Sequence, residues 1–382
     1  MRGVALLGST GSIGRSALTV LARHTGEFRV VALAANRNAA ELVQQVARLG
    51  PALAVLVDED AATANGPLPA GIRTGRAALL EAAAHPDADI VINAVVGAAG
   101  LEATLAALRA GKRLALANKE SLVTGGPLVR EALRAGGGEL VPIDSEHSAI
   151  LQCIAGAPGQ SVQRMILTAS GGPFRSWPLE RLATVTPAEA LRHPTWEMGA
   201  KITVDSATLA NKALEVIEAH FLFDVPYDAV EVVVHPQSII HSMVEFVDGS
   251  LLAQLGFPTM ELPILYALTH PARLADSGTR RFDPVAAATL TFERVDSVRF
   301  RAFALGIDAG RAGGTAPAVF NAANEVAVAG FLRGAVPFTA IPDVIARALD
   351  AHSPAPADSL DTVMASDRRA RETAAAAMGK IC

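Results

Sequence analysis

The feature that most constrains the fold is the alternation, over residues 1–143, of short apolar runs with segments of helical spacing. Runs that are apolar throughout, rather than at every second residue, are typical of strands buried on both faces. Such strands belong to a parallel sheet that helices cover on both sides. The sequence therefore predicts an α/β fold that opens with a Rossmann-like parallel sheet, whose strands we expect at residues 4–7, 30–34, 54–57, 90–94, 114–117 and 140–143.

The pattern changes in the middle of the chain. Four further strands are predicted there, and the last two flank Asp248-Gly249, which is a two-residue hairpin signal. Because a hairpin requires antiparallel pairing, we expect a second, α+β domain at 144–280. The four strands are expected at 165–169, 230–234, 241–247 and 250–255.

The last part of the chain is predicted to be wholly helical. A linker at 281–295 leads to a C-terminal α-helical domain at 296–382, which is rich in Ala and Leu. Its helices are expected at 299–309, 318–332, 340–351 and 359–378.

Composition excludes several classes of protein. A net charge of −5 argues against a nucleic-acid binder. The apolar stretch 90–99 is interrupted by Asn93 and is too short to span a membrane. Cys153 and Cys382 predict neither a disulfide framework nor a zinc site. Since the chain opens directly on a strand and a glycine turn, we expect no cleavable signal and a cytoplasmic protein.

Gly8, Gly11 and Gly14 follow the first predicted strand and open a helix. Glycine at such a turn lets the backbone approach a pyrophosphate, and the helix N-terminus adds free N–H groups. The G-x-x-G-x-x-G spacing is weak evidence alone, because glycine turns also serve packing. Its position after the first strand favours dinucleotide binding.

The end of the second predicted strand indicates which dinucleotide. NAD enzymes usually carry an acid there for the ribose 2′-hydroxyl, whereas this chain has Asn36-Arg37-Asn38. The Arg37 guanidinium suits a 2′-phosphate. The alternative is a solvated loop arginine. The missing acid favours NADP over NAD.

Three carboxylates form a candidate metal site. Asp144 and Glu146 stand two apart at a predicted strand end, a spacing that points both side chains one way. Alone they could be a capping pair. Glu215 adds a third carboxylate, on a helix predicted to begin near Ser206 and carrying Asn211 four residues earlier. Oxygen ligands of this kind suit Mg²⁺ or Mn²⁺.

Small donors and a cation form a candidate phosphate site. Ser170-Gly171-Gly172 follows a predicted strand, and Ser206, Asn211 and Lys212 add a hydroxyl, an amide and an ammonium. This set fits a phosphate ester. The alternatives are a helix N-cap for Ser206 and a surface lysine for Lys212.

The segment 193–199 carries Trp196 and Met198 between a proline and a glycine, without clear periodicity. An exposed loop with these side chains suits a lid over a bound ligand. The alternative is a core anchor. His193 could bind phosphate or satisfy a local hydrogen bond.

These residues together resemble the 1-deoxy-D-xylulose 5-phosphate reductoisomerase family, and the resemblance covers essentially the whole chain. The motifs that carry it are residues 8–14, Val96-Gly97-Ala98-Ala99-Gly100, Asn118-Lys119-Glu120, Asp144-Ser145-Glu146-His147, Ser170-Gly171-Gly172-Pro173-Phe174, residues 193–215, His235-Pro236-Gln237-Ser238 and Asn321-Ala322-Ala323-Asn324-Glu325.

The resemblance implies an NADPH-dependent and metal-dependent homodimer of non-mevalonate isoprenoid biosynthesis. Its activity would be the conversion of 1-deoxy-D-xylulose 5-phosphate, a phosphorylated sugar, to 2-C-methyl-D-erythritol 4-phosphate. The central domain would then be catalytic. The family commonly reads Gly-Lys-Asn where this chain has Asn36-Arg37-Asn38. We expect the NADP preference to survive this change, with the local backbone geometry in question.

The resemblance also implies a role for each matching residue. Asp144, Glu146 and Glu215 would hold the metal, and Lys119 would lie between cofactor and substrate. The substrate would contact Ser145, Ser170, His193, Trp196, Met198, Ser206, Asn211 and Lys212. The cofactor would contact Gly8, Thr10, Gly11, Ser12, Ile13, Asn36, Arg37, Asn38, Asn118, Glu120 and Gly199.

Two other functions share part of this pattern. A semialdehyde dehydrogenase would keep the glycine turn but requires a nucleophilic cysteine with a base, which Cys153 lacks in the sequence. A non-enzymatic NADP sensor would need no metal ligands.

Overall fold

The structure is a computed structural model that describes residues 1–64, 68–157, 161–287 and 289–380. The chain divides into two compact units. Unit 1 comprises Met1–Ser121, Val129–Ser148 and Thr259–Arg280, and unit 2 comprises Leu122–Leu128, Ala149–Pro258 and Arg281–Cys382.

The strands, in chain order, are β1 Arg2–Leu7, β2 Phe28–Ala35, β3 Leu53–Leu56, β4 Ile72–Thr74, β5 Ile90–Asn93, β6 Arg113–Leu116, β7 Glu139–Pro142, β8 Val162–Ala169, β9 Val230–Val234, β10 Ile240–Phe246, β11 Leu251–Leu255 and β12 Glu293–Arg294. The helices are α1 Ser12–Arg23, α2 Ala39–Leu49, α3 Glu59–Ala64, α4 Gly75–Ala83, α5 Gly100–Arg109, α6 Glu120–Gly136, α7 Ser145–Cys153, α8 Pro187–Ala190, α9 Ala200–Thr208, α10 Ala210–Phe223, α11 Glu261–Thr269, α12 Arg301–Ala312, α13 Ala316–Leu332, α14 Ile341–Asp350 and α15 Leu360–Met378.

Unit 1 is built on a parallel sheet with the order β4-β3-β2-β1-β5-β6-β7. Its central strands are buried along their whole length, as their apolar sequences predict. The order reverses between β1 and β5, so the loops after these two strands lie at the crevice where such sheets bind ligands. The predicted α/β class is confirmed.

Strand β4 was not predicted. It has three residues at the edge of the sheet, and none of them is fully buried. An edge strand this short carries no apolar run that the sequence could reveal.

Unit 1 also contains α11, which packs on α1. Arg23 of α1 forms ion pairs of 2.6 Å with Glu261 and 2.7 Å with Asp276. Both acids were predicted to lie in the central domain at 144–280, whereas they belong to unit 1. The four-part domain division stays a prediction.

Unit 2 contains a mixed sheet with the order β11-β10-β8-β9-β12. Strand β10 runs antiparallel to both β8 and β11, and β8 runs parallel to β9. The hairpin predicted at Asp248-Gly249 is confirmed, with Gly249 at a φ of +84°. The central α+β character therefore follows from the turn chemistry.

The helices predicted after residue 296 are α12 to α15, which pack with α10 around one core. Few aromatic side chains fill this core, and Phe320 and Phe331 are fully buried in it. A Cβ on Gly306 of α12 would lie 2.5 Å from the Cβ of Ala213, so the close approach of α10 and α12 requires glycine. Among the described residues, no helix is both long and apolar enough to cross a membrane.

Candidate active site

The glycine turn between β1 and α1 leaves the helix N-terminus open. Gly8 has a φ of +86°, and a Cβ on Gly14 would lie 2.3 Å from the Gly8 carbonyl oxygen. Packing alone therefore requires these glycines. At the same place Gly11 and Ser12 are exposed, and no side chain caps α1. Uncapped N–H groups at a helix start suit a pyrophosphate, so the turn fits a dinucleotide.

Asn118 organises the loop that follows β5. Its side-chain Nδ2 donates to the carbonyl oxygens of Val95, at 2.8 Å, and Gly97, at 2.9 Å. The same nitrogen donates to Glu120 at 3.0 Å. Asn118 is 1% exposed. The structure therefore shows it shaping the loop at the reversal of strand order, and its direct contact with a cofactor stays a prediction.

The loop after β2 carries an exposed arginine on a fixed partner. The Arg37 Nε donates to Asp58 at 2.5 Å. Asn38 caps α2 by accepting from the Glu41 backbone N–H at 3.2 Å. Asn36 does not adopt a positive φ. The loop therefore does not require the glycine that the family commonly has there.

Asp58 is a residue that sequence reasoning missed. The end of β2 carries no acid, but the structure brings one to Arg37 from beyond the end of β3. The sequence did contain a signal for it. The apolar run of the third strand is followed directly by Asp58, just as the second strand of an NAD enzyme is followed by the acid that binds the ribose.

Two of the predicted metal ligands lie at the start of α7. The Lys119 Nζ is 2.5 Å from Asp144 Oδ2, and the His147 Nδ1 is 3.3 Å from Asp144 Oδ1. Burial would raise the pKa of Asp144, but Lys119 and His147 outweigh it and hold that pKa well below its usual range. Glu146 accepts a hydrogen bond from the Ser145 hydroxyl. Asp144 is thus ready as an anionic oxygen ligand.

The reason given in the sequence analysis for pairing Asp144 with Glu146 is wrong. Strand β7 ends at Pro142, and Glu146 lies in the first turn of α7. Strand alternation therefore does not apply. The helix start brings the residues together instead, because the Glu146 backbone N–H donates to Asp144 Oδ1 at 3.2 Å.

In unit 2, His193 joins two serines of the predicted phosphate site. Its Nε2 lies 2.9 Å from the Ser170 hydroxyl and 3.1 Å from the Ser206 hydroxyl. Its Nδ1 accepts from the backbone N–H groups of Thr195 and Trp196 at 3.1 and 2.9 Å. A ring whose Nδ1 accepts must carry its proton on Nε2 when it is neutral. Burial lowers the pKa of His193 to about 4, so this neutral donor form holds at pH 7.

Glycines 171 and 172 shape the turn beside this cluster. Gly172 has a φ of +68°, and its N–H donates to the Ser170 hydroxyl at 3.2 Å. A Cβ on Gly172 would lie 2.7 Å from the Ser206 carbonyl oxygen. The turn thus gathers small donors where no side chain would fit.

The predicted helix beginning near Ser206 is wrong. Ser206 lies in the last turn of α9, which ends at Thr208, so it is not an N-cap. Leu209 then adopts a left-handed φ of 56°, and α10 begins at Ala210. The break at Leu209 turns the chain between α9 and α10.

Glu215 is held by two neighbours on α10. Asn211 Nδ2 and Lys212 Nζ donate to its two carboxylate oxygens. The side chains of Lys212 and Glu215 are 4% and 1% exposed. Lys212 is therefore not a surface lysine. The Glu218 side chain, one turn further, is also buried.

The segment 193–199 has no regular structure in unit 2. Trp196 and Met198 are half-buried, and the Trp196 ring lies 6.1 Å from the His241 ring. Gly199 is the N-cap of α9 and accepts from the Thr203 hydroxyl at 2.8 Å. Half-burial is less than a core anchor would have, and closure over a ligand stays a prediction.

A second buried network was missed. Lys201 on α9 lies 3.0 Å from Asp205, which accepts from Asn324 at 2.8 Å. Asp205 is 1% exposed. Asn324 belongs to the Asn321–Glu325 motif, which the sequence analysis singled out without a role. The contact shows that this motif of α13 anchors α9.

Each unit thus carries part of the predicted set. Unit 1 holds Gly8, Thr10, Gly11, Ser12, Ile13, Asn36, Arg37, Asn38, Asn118, Lys119, Glu120, Asp144, Ser145 and Glu146, and unit 2 holds Ser170, His193, Trp196, Met198, Gly199, Ser206, Asn211, Lys212 and Glu215.

The fold and these clusters define a class of protein. A parallel sheet with an open glycine turn and a basic loop after β2 is the architecture of nucleotide-dependent oxidoreductases. Carboxylates and clustered anion donors add the means to hold a cation and a phosphorylated ligand.

Comparison with known proteins identifies the family. Profiles described as 1-deoxy-D-xylulose 5-phosphate reductoisomerase, its C-terminal domain, and DXP reductoisomerase C-terminal domain match residues 4–126, 140–223 and 255–373. The chain is 52% identical, over 98% of both sequences, to 1-deoxy-D-xylulose 5-phosphate reductoisomerase of Symbiobacterium thermophilum.

Solved structures agree. The enzyme of Zymomonas mobilis in complex with NADPH has a TM-score of 0.90 and 45% identity, covering 99% of each chain. A DOX-P reductoisomerase in complex with NADPH, fosmidomycin and magnesium has a TM-score of 0.93 and 37% identity, covering 99% of this chain and 98% of that one. The chain belongs to the 1-deoxy-D-xylulose 5-phosphate reductoisomerase family, as the sequence resemblance predicted.

The protonation of His193 can be tested directly. We expect the ring to titrate near pH 4 in the folded chain, against about 6.5 when unfolded. The unfolded chain then binds the extra proton first, so the histidine's contribution to stability falls as pH drops from about 6.5 toward 4. Ring chemical shifts by NMR between pH 3.5 and 8 measure the titration.

The matched variant is His193→Asn, which cannot titrate in this range. Its stability should lose the part of the pH dependence assigned to His193. Titration of the folded ring near pH 6.5 would contradict the neutral-donor assignment.

Proposed function

We propose that this chain catalyses the isomerisation and reduction of 1-deoxy-D-xylulose 5-phosphate to 2-C-methyl-D-erythritol 4-phosphate, with NADPH and a divalent metal ion, in non-mevalonate isoprenoid biosynthesis. The observation that carries the proposal is 52% identity to a reductoisomerase over nearly the whole chain. The solved reductoisomerase structures in complex with NADPH and with magnesium support the cofactors. The predicted function, enzyme class and cofactors are confirmed at the level of the family.

The glycine turn and the two loops beside it would hold NADPH. Gly11 and Ser12 present the open start of α1 to the pyrophosphate. Arg37 offers its guanidinium to the 2′-phosphate. Asn118, which also donates to Glu120, would hold the loop after β5 in place beside the nicotinamide of the cofactor. NADPH supplies hydride, and the residues fix its position.

Asp144, Glu146 and Glu215 would hold the divalent cation, Mg²⁺ or Mn²⁺. Their donors are all carboxylate oxygens, which suit a hard cation. When bound, such a cation polarises a carbonyl as a Lewis acid. Lys119 and His147 hold the pKa of Asp144 well below its usual range, so this ligand is anionic at neutral pH, and Lys212 donates a hydrogen bond to Glu215.

The phosphate of the substrate would lie on the cluster of Ser170, His193 and Ser206, with Asn211 and Lys212 as further donors. The two serine hydroxyls both lie within 3.1 Å of the His193 Nε2, so the three donors are close together. Binding energy from a phosphate that does not react can orient the part of the substrate that does. Ser145, beside Glu146, would also contact the substrate.

Trp196 and Met198 would close over the bound substrate. His193 anchors the start of this segment through two backbone N–H groups, and Gly199 ends it at α9. A segment fixed at both ends and half-buried between them can move without unfolding its neighbours. Closure would exclude water and strengthen the charged contacts inside.

The dehydrogenase alternative loses support. Burial raises the pKa of the Cys153 thiol to about 11, so the thiol is protonated at neutral pH. A protonated, half-buried thiol is a poor nucleophile.

The proposed function is tested by NADPH oxidation with 1-deoxy-D-xylulose 5-phosphate. We expect turnover only when Mg²⁺ or Mn²⁺ is added, with 2-C-methyl-D-erythritol 4-phosphate as the product detected by mass spectrometry. Turnover that persists in a chelator, or NADPH binding without any turnover, would sink the proposal; the second result would favour the sensor.

The three carboxylates are tested one at a time. Asp144→Asn, Glu146→Gln and Glu215→Gln should each weaken Mn²⁺ binding and lower kcat at limiting Mn²⁺ by at least about tenfold, since each removes one charged ligand. NADPH binding, measured by fluorescence, should be retained. Glu180→Gln, at an exposed site, is the control. A carboxylate variant with normal activity at limiting Mn²⁺ identifies a residue that is not a ligand.

Binding of a phosphonate that carries a bidentate oxygen chelator distinguishes the role of the phosphate site from the role of the lid. Lys212→Ala should weaken its binding by about tenfold or more, because a charged hydrogen bond contributes about 1.5–3 kcal/mol. Trp196→Ala should instead raise the dissociation rate. Lys380→Ala, at an exposed lysine, is the control.

Hydrogen exchange follows the lid in the same experiment. Residues 193–199 should gain protection when the phosphonate binds, and Trp196→Ala should reduce the gain. Equal protection with and without the ligand would show that the segment is a fixed element.

We further propose that the chain works as a homodimer in the cytoplasm, and that Mn²⁺ can replace Mg²⁺ as its metal ion. Sedimentation equilibrium tests the dimer, and a single monomeric species at micromolar concentration would contradict it. Cell fractionation tests the location, and the assay above compares the two metals.

A further inference from the structure

Arg37 and Asp58 face each other across neighbouring strands of unit 1. Ala35 of β2 pairs with Leu56 of β3. The pairing continues beyond both strands, because the Val57 N–H donates to the Ala35 carbonyl at 2.9 Å and the Asp58 N–H donates to the Asn36 carbonyl at 3.0 Å. This backbone contact fixes the Asp58 carboxylate beside residue 37.

Asp58 is the fixed member of the pair and Arg37 the adaptable one. The Asp58 side chain is 16% exposed, and its Oδ1 also accepts from the Ala61 backbone N–H at 2.8 Å. The Arg37 side chain is 77% exposed and has the 2.5 Å bond to Asp58 as its anchor. An exposed arginine without an anchor would lose more rotamer entropy on binding a ligand.

The anchor leaves the working end of the guanidinium open. The bond to Asp58 uses Nε, and neither terminal nitrogen donates to any residue in the described part of the chain. A phosphate takes two parallel hydrogen bonds from a guanidinium edge. The edge formed by the two terminal nitrogens is therefore presented for one.

We infer that Asp58 is a specificity-determining residue of the cofactor site, which acts by positioning Arg37 for the 2′-phosphate of NADPH. Without Arg37, the same carboxylate repels a 2′-phosphate and accepts a hydrogen bond from the 2′-hydroxyl of NADH. The inference rests on the proposed function, because it concerns its cofactor. Asp58 is thereby the acid that the sequence analysis found missing, supplied by β3 instead of β2.

As long as Arg37 is present, the gain from its orientation by Asp58 outweighs the repulsion between the Asp58 carboxylate and the 2′-phosphate. The Asp58 charge is compensated at 2.5 Å by the guanidinium, and a phosphate on the terminal nitrogens would lie on the far side of that group. At an exposed site, solvent and salt screen the longer interaction between the two anions more strongly than the contact between Asp58 and Arg37.

The experiment measures binding of two probes, adenosine 2′,5′-bisphosphate and 5′-AMP, to the purified full chain by calorimetry. Asp58→Asn should weaken binding of the bisphosphate about two- to fivefold, the range for one exposed ion pair, and leave 5′-AMP unchanged. The introduced amide keeps an acceptor for the Ala61 N–H, so α3 remains capped. Asp60→Asn removes the same charge from an exposed acid two residues away and should change neither probe.

The decisive comparison is the same substitution in an Arg37→Ala background. There Asp58→Asn should strengthen binding of the bisphosphate, since the uncompensated carboxylate is removed. A merely structural role for Asp58 would give the same weakening in both backgrounds. In the NADPH assay, Asp58→Asn should raise KM for NADPH and leave kcat unchanged.

An equal effect of Asp58→Asn in both backgrounds, or an effect as large from Asp60→Asn, would overturn the inference while leaving the proposed function intact. If the unaltered chain binds neither probe, the proposed cofactor site fails, and the inference fails with it.

Discussion

In each unit, the predicted site residues depend on a buried lysine–carboxylate pair. Lys119 with Asp144, and Lys212 with Glu215, are each no more than 10% exposed. An unpaired ion in such a place costs several kcal/mol of desolvation, so neither member of a pair could be buried alone. Each lysine therefore offsets the cost of burying its carboxylate partner. Each pair also needs its backbone: Lys119 stands at the start of α6, and Glu215 stands one turn beyond the lysine on α10.

The backbone that carries these pairs could largely be predicted from the sequence. Six of the seven strands of the first sheet, the hairpin at Asp248-Gly249 and the helices α12 to α15 follow from apolar runs, turn residues and helical spacing. The failures share a cause. Strand β4 is a three-residue strand at the edge of the sheet, and the break at Leu209 occurs at a residue that has no local preference for a left-handed φ. Tertiary contacts decide both, and no local pattern records them.

The residue types of the site could also be predicted, whereas their pairings could not. Ser170, His193 and Ser206 were all candidates, but the hydrogen bonds through a single imidazole nitrogen join residues 23 and 13 positions apart. The partnership of Arg37 with Asp58 spans 21 positions and two strands. A search limited to the end of one strand could not find an acid delivered by the next. Sequence spacing identifies what a site contains, and sheet order determines which groups meet.

The pairings decide how charge is distributed over the anion donors. His193 is neutral at pH 7, and the charge of Lys212 is balanced by Glu215. The donors around Ser170 thus offer hydrogen bonds of fixed geometry, since Gly172 and the two backbone N–H groups at His193 Nδ1 hold them in place. A loose cluster of cations would attract any anion, whereas neutral donors bind well only to an anion whose oxygens match their positions. If a phosphate binds this cluster as proposed, the positions of the donors would therefore select it more than their net charge would.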